Sequence, residues 1–297
     1  MEFIKSIFSQ LGVLHRPRPN ALESSFIGRL PPEVILCITE FLPRASAAAF
    51  SLCCKPICSI LGAYAFAAVK DGDELETIRE FLALLERDLP DHLACFLCSK
   101  LHSIKKARSY MYSTSFRGRW GTVPPPQCWI ADLDFMTHSY IHWDFSHIVF
   151  QMAMKRYRQG LDFTHLLHLL CQERVTQTQR EYTHQISAQA RIIAGCLIVR
   201  RQDIFVYSAR QKWDALAPQF IICPHYVYDL GKMGVMGRYR QWFHGGGAMK
   251  CECCLTEFRL DVKDCGEMGI ATYCTRWQNL GQGKSTLDQI WQRHIAG

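Results

Sequence analysis

The sequence predicts an α+β protein: a helical N-terminal third, then a mixed helical and β-rich remainder that zinc could staple. Three observations carry this. Apolar residues recur at helical spacing between residues 30 and 90. Several segments beyond residue 190 are rich in β-branched and aromatic residues and bounded by Gly and polar turns. The 15 cysteines include close-spaced pairs with histidines nearby.

Residues 1–14, "MEFIKSIFSQLGVL", place Phe3, Ile4, Ile7, Phe8 and Leu11 on one helical face, and the prolines of "HRPRPN" stop the helix. Glu2 fits an Arg-rich presequence poorly, so docking on the main domain is the expectation. Three short helices follow in "LPPEVILCITEFLPRASAAAFSLCCKPICSILG", residues 30–62. Pro31 and Pro32 suit a first helical turn and Glu33 favours the N-terminal dipole. Val34, Ile35, Ile38, Phe41 and Leu42 form an amphipathic pattern that Pro43 ends. Ala45–Cys54 reads as an Ala-rich second helix, and Pro56 separates a third that stops at Gly62. Three helices this short bury too little to stand alone, so their apolar face must meet the rest of the chain or a partner. Leu75, Ile78, Phe81, Leu82 and Leu85 give a further helix ended by Pro90. Residues 137–175 read as mostly helical. "RIIAGCLIVRRQDIFVYSA", "QFIICPHYVYDL", "KCECCLTEFRLDV" and "GIATYCTRWQNL" read as strands.

Composition narrows the function classes. At 48% hydrophobic residues a packed core is expected, and no apolar run is long enough for a transmembrane helix. The N-terminus lacks the apolar h-region of a signal peptide, so the cysteines read as reduced and the protein as intracellular, cytoplasmic or nuclear. The net charge of +7 is modest. Basic and aromatic residues interleave in "KKARSYMYSTSFRGRW", where Lys105, Lys106, Arg108, Arg117 and Arg119 meet Tyr110, Tyr112 and Trp120 without one acid. Such a run can bind nucleic acid, but it is more often a solvated face, so nucleic acid is not the expected partner.

Residues 30–62 resemble an F-box: "LPPEVILCITEFLP", a short variable turn, then "SLCCKPICSILG" as the closing helix. Beyond them the chain is similar to the fungal F-box proteins with a cysteine-containing C-terminal region, through "FLALLERDLPDHLACFLCSKLH", "CPH", "CECCLTEFRLDV" and "TRWQNLGQGKSTLDQIWQRHI". The resemblance implies a substrate-recognition adaptor. The F-box would dock on the Skp1-type subunit of a cullin-based (SCF-type) ubiquitin ligase, and residues 63–297, an α+β domain, would select an unknown target protein. Residues 1–29 form the helix and linker before it. Leu30, Pro31, Val34, Ile35, Ile38, Leu42, Leu52 and Lys55 fall on the positions the F-box pattern uses for docking. The Ala-rich second helix, and Cys58 where many F-boxes carry Trp or Tyr, depart from that pattern and imply fewer large anchors.

Two Cys/His sets have metal spacing. Cys223 and His225 in "CPH", with Cys251 and Cys254 in "CECC", place C-x-H and C-x2-C on two strand-like segments, with Cys253 a spare thiol. Cys95 and Cys98 form a second C-x2-C, followed by His102 and Cys128. Zinc takes four N or S donors tetrahedrally, and such closed sites hold a fold together without implying catalysis. Buried free cysteines in a core are the alternative reading of both sets. Cys37, Cys53, Cys54 and Cys58 read as small core residues. Neither set fits the interleaved eight-donor pattern of a RING-type ligase.

No enzyme site assembles. "LGQGKST" has Gln278 where a phosphate loop needs glycine, and "HGGG" (244–247) has no G-x-S-x-G to supply a nucleophile. "HSYIHWDFSH" gathers His138, His142, Asp144 and His147 without a Glu-centred zinc motif. The expectation is a non-enzyme. The competing reading is a zinc-containing binding module, acting on nucleic acid through residues 105–120, in which the N-terminal helices merely pack internally.

Overall fold

Prolines punctuate the first helices of the computed structural model, which describes residues 25–70, 75–96, 98–111, 128, 137–178, 182–207, 219–229, 247–285 and 287–295. The predicted helix over 1–14 and its linker lie outside these residues. The chain divides into two compact units, Met1–Lys106 and Ala107–Gly297.

In the first unit, Pro32 opens α1 (Pro32–Glu40), with Glu33 in its first turn. Pro43 caps α2 (Arg44–Ser51), and α3 runs Lys55–Lys70. Three helices across this region match the expectation, except that the third passes through Gly62 to Lys70. A glycine costs a helix interior roughly 1 kcal/mol. The burial of Ala65, Phe66 and Val69 beyond it outweighs that cost. The helix α4 (Leu75–Asp88) supplies Phe81, Leu82 and Leu85 to a core shared with Ala45 and Ala48 of α2 and Phe66 and Val69 of α3. Phe66 and Phe81 meet edge to face at 6.1 Å. The alanines thus serve the core, where small side chains let helix backbones approach closely.

A hairpin the sequence reading did not anticipate completes this core: β1 (His92–Cys95) pairs with β2 (Lys100–Ser103), Leu93 opposite His102. Ala94 and Leu101 enter the same cluster. The Ala94 amide donates to the Glu86 carboxylate at 3.0 Å, and Arg79 Nε donates to the Phe96 carbonyl at 3.1 Å. The helices α2 and α3 therefore bury one face against α4 and the hairpin, and α1 packs Ile35 against Ile57, Leu61 and Ala65 of α3. A 3-10 segment, Ile104–Tyr110, follows.

The second unit contains α5 (His147–Arg158), α6 (Thr164–Leu169) and a six-stranded antiparallel sheet. Its strands are β3 (Gln172–Thr178), β4 (Tyr182–Ile193), β5 (Cys196–Tyr207), β8 (Met249–Lys250), β9 (Thr256–Asp264) and β10 (Ile270–Asn279), in the order β3-β4-β5-β10-β9-β8. The helical expectation to residue 175 is corrected by β3, a polar edge strand exposed at all but its first residue. The stretch 191–209 is not one strand. It folds back at Ala194 and Gly195, whose φ angles of 49° and 76° suit the tight turn between paired Ile193 and Cys196.

β5 alternates strictly, burying Leu197, Val199, Arg201, Asp203, Phe205 and Tyr207. Over this buried face lies the hairpin of β6 (Gln219–Cys223) and β7 (Tyr226–Asp229). Phe220 meets Phe205 at 5.3 Å and Tyr226 meets Phe258 at 5.3 Å. Arg276 donates to the Ile221 carbonyl, and Gln278 Nε2 to that of Ile222 at 3.4 Å. The carboxylate of Asp203, 2% exposed, accepts from Arg201 Nε at 2.9 Å, from His184 at 3.0 Å and from Arg276. Arg201 also reaches the carbonyls of His138, Ser139 and Ile141. One buried carboxylate thereby ties the sheet to β6 and to the turns before α5.

The C-terminal α7 (Gln289–Ile295) closes the unit, with the Trp291 ring 4.2 Å from that of His147. The glycines of "LGQGKST" have a packing role. Gly283 has φ +58°, and a Cβ there would stand 2.9 Å from the Phe150 ring. Among the described residues, no helix is long and apolar enough to cross a membrane.

Candidate functional site

The outer face of α1 is apolar and, among the described residues, exposed. Ile35 and Thr39 point inward, 3% and 6% exposed, while Val34, Leu36, Ile38 and Phe41 stay open, Phe41 at 84%. Val34, Ile38 and Phe41 follow i, i+4, i+7, so they share one helical stripe. Just before α1, Phe26 is 87% exposed and Ile27 also lies open.

The predicted docking residues are divided by this arrangement. Pro31, Val34, Ile38 and Lys55 are exposed, and Leu30, Leu42 and Leu52 are half-buried. Leu30 packs beside the cluster of Ile35, Ile57, Leu61 and Ala65, and Leu52 beside the α2–α3–α4 core. Ile35 differs from the sequence expectation. Two adjacent helical positions cannot face the same way, and the α3 core claims Ile35 while Val34 turns outward. Phe41 and Phe26 were not among the predicted docking residues. Phe41 had its signal in the apolar pattern of α1, and burying such a side chain in an interface is worth about 1.5–3 kcal/mol.

The first metal candidate assembles from two turns of the second unit. Cys223 ends β6 and His225 sits in the β6–β7 turn, while Cys251 and Cys254 lie between β8 and β9. The four donor atoms all fall within 4.8 Å of one another, with Cys223 and Cys254 buried. The Cys253 amide donates to Cys251 Sγ at 3.4 Å, and the His225 backbone N–H supports the Cys223 sulfur. Backbone N–H groups aimed at sulfur favour thiolate and preform the knuckle. Cys254 is drawn well below the usual thiol range by its hydrogen bond with Cys223, then by His294 and by Thr256, whose Oγ1 is 3.2 Å from its sulfur. Cys223 moves the opposite way, because it holds the proton the pair shares. Three sulfurs and an imidazole in this spacing fit a tetrahedral ion, and the cluster could hold a metal.

In the first unit, Cys95, Cys98 and His102 converge on the β1–β2 hairpin, their donors within 4.8 Å of one another. The Cys98 amide reaches Cys95 Sγ at 3.5 Å, and Cys98 Sγ lies 3.2 Å from His102 Nε2. The cross-strand register that sets His102 opposite Leu93 brings it back to the Cys95 turn. Cys128, the fourth residue of this predicted set, is buried and belongs to the second unit.

The remaining sequence candidates serve packing. His138, His142 and His147 are all buried, and His142 gives its Nε2 proton to the Leu170 carbonyl at 2.9 Å while Nδ1 accepts from the Asp144 amide. Of the basic stretch 105–120, residues 112–120 lie outside the described residues, Lys105 pairs with Asp91 at 3.4 Å, and Tyr110 is buried.

Comparison with known families agrees with the geometry of α1–α3. Residues 27–62 match the model of the F-box domain. No curated protein and no solved structure matches the chain. Residues 27–62 are thus an F-box domain, and an F-box domain carries a protein-interaction role, typically with Skp1-type subunits of ubiquitin ligases.

Proposed function

We propose that this F-box protein is a non-catalytic substrate-recognition adaptor of an SCF-type cullin ubiquitin ligase. Residues 27–62 dock on a Skp1-type subunit, and the second unit carries the surface that selects a protein target. The observation that carries this reading is the apolar stripe of Val34, Ile38 and Phe41, left open on a helix whose other face is already satisfied inside the first unit. Apolar stripes of this kind mark protein interfaces. The Cys223, His225, Cys251 and Cys254 cluster holds a structural zinc ion. When bound, it joins the β6–β7 turn to the β8–β9 link and supplies fold stability rather than a reaction step.

Co-expression with a Skp1-type subunit tests the adaptor role. The parent chain should co-purify as a complex, and a triple variant Val34→Asp, Ile38→Asp, Phe41→Asp, with unchanged circular dichroism, should not. Soluble, folded parent chain that recovers no partner would refute the reading.

A further inference from the structure

The first unit carries a Cys/His set outside the F-box match, and strand geometry assembles it. In the β1–β2 hairpin successive side chains point to opposite faces. Ala94 and Leu101, paired across the hairpin, enter the core of α2, α3 and α4. The other face carries Leu93 opposite His102 and Cys95 opposite Lys100, so Cys95 and His102 are diagonal neighbours on it. Both are buried, 2% and 3% exposed. The turn returns a third donor to this face. Ser99 has a φ of 51°, in the left-handed region, and the Cys98 amide points at Cys95 Sγ from 3.5 Å. Cys98 Sγ then stands 3.2 Å from His102 Nε2, and the three donor atoms lie within 4.8 Å of one another.

With Zn–S at about 2.3 Å and Zn–N at about 2.0–2.1 Å, the ligand atoms of a tetrahedral ion stand roughly 3.5–3.8 Å apart. The 3.2 Å pair and the 4.8 Å limit bracket that spacing. Two thiolates balance the charge of a divalent ion, so a buried site built from Cys95, Cys98 and His102 holds no net charge. Thiolate and imidazole together select zinc over hard cations such as calcium and magnesium.

We propose that Cys95, Cys98 and His102 hold a second zinc ion, in the first unit, that locks the β1–β2 hairpin onto α4. The hairpin supplies three of the four tetrahedral positions. The turn between its cysteines is already tied to α4, since Arg79 Nε donates to the Phe96 carbonyl at 3.1 Å. An ion there fixes the end of the hairpin whose Ala94 and Leu101 complete the core of α2 and α3, and so stabilises the unit that bears the F-box. The inference stands apart from both the Skp1 reading and the zinc reading of the Cys223 cluster.

The test uses the full chain carrying Cys251→Ser and Cys254→Ser, which removes two sulfurs from the other cluster. Cobalt(II) is the probe, read by its sulfur-to-metal charge-transfer band, and zinc per chain is then counted after dialysis. The proposal predicts a thiolate band and close to one zinc per chain, both lost when Cys98→Ser is added. A folded double variant with no band, or zinc that survives Cys98→Ser undiminished, would overturn it. A measurement on the unsubstituted chain covers the case of a variant that fails to fold. Zinc should slow alkylation of Cys98 by iodoacetamide, read by peptide mass, by roughly tenfold or more against the chelator-treated chain, because a coordinated sulfur is no longer a free nucleophile. The exposed Cys37 and Cys53 should react alike in both. Equal rates at Cys98 with zinc and with chelator would refute the hairpin site, whatever the Cys223 cluster binds.

Discussion

Removing the charge of Asp203 without changing its shape should strip the second unit of its central tie. In Asp203→Asn, the carboxylate that accepts from Arg201 at 2.9 and 3.0 Å, from His184 and from Arg276 becomes a neutral amide. Two guanidinium groups, 5% and 1% exposed, are then left inside without a counter-charge. Breaking a buried pair from one side costs about 3–5 kcal/mol. At about 2–4 °C per kcal/mol for a unit of this size, the melting temperature should fall by roughly 6–20 °C.

The pH dependence sharpens the test. Burial alone would push the Asp203 carboxyl up, but Arg201, Arg276 and the His184 hydrogen bond outweigh it and hold the group well below the usual carboxylate range. A carboxyl lowered in the folded state contributes fully above its unfolded value of about 3.9 and loses that contribution as pH falls towards the folded value. Scanning calorimetry of parent and variant should therefore give a constant gap from pH 8 to about 5 and a narrowing one below about 4. A gap under 2 °C near neutrality, or one that widens with acid, would refute the reasoning.

Other substitutions probe the packing. Ile35→Ala should lower stability by about 2–5 kcal/mol and Ile38→Ala by no more than about 0.5, read by chemical denaturation; equal effects would contradict the inward–outward division of α1. Gly283→Ala should destabilise more than Gly160→Ala: both have positive φ, but only at 283 does the added Cβ meet Phe150 at 2.9 Å, whereas nothing lies within 4 Å at 160. His142 should add to acid sensitivity. Burial pushes its imidazole down to about 3. Its stabilising contribution is therefore complete above the unfolded value of about 6.5 and falls by about 1.4 kcal/mol per pH unit below it. His142→Gln should flatten stability between pH 6.5 and 5, and an unchanged slope would count against the neutral ring.

The parts legible in the sequence were those written in local chemistry. The proline punctuation and apolar spacing of residues 31–56 announce α1 to α3, and C-x2-C and C-x-H bring their own ligands together because a single turn suffices. Features settled by distant partners were not legible. The third helix outruns Gly62 because Phe66 and Val69 are buried against α4 and Ala65 beside Ile35, which local propensity does not register. The strand β3 has a polar sequence that no apolar alternation reveals, and only pairing with β4 makes it a strand. Ile35 and Val34 are alike in type, and which one faces the core depends on where α3 lies.

The central claim concerns the open face of α1, and a titration between purified partners measures it most directly. Isothermal titration of the full chain with a Skp1-type subunit should give a saturable 1:1 complex. Phe41→Ala should weaken it at least tenfold, about 1.4 kcal/mol, while melting like the parent. A Phe41→Ala chain that binds as tightly as the parent, or a folded parent chain that gives no binding heat and no complex by gel filtration, would contradict the account.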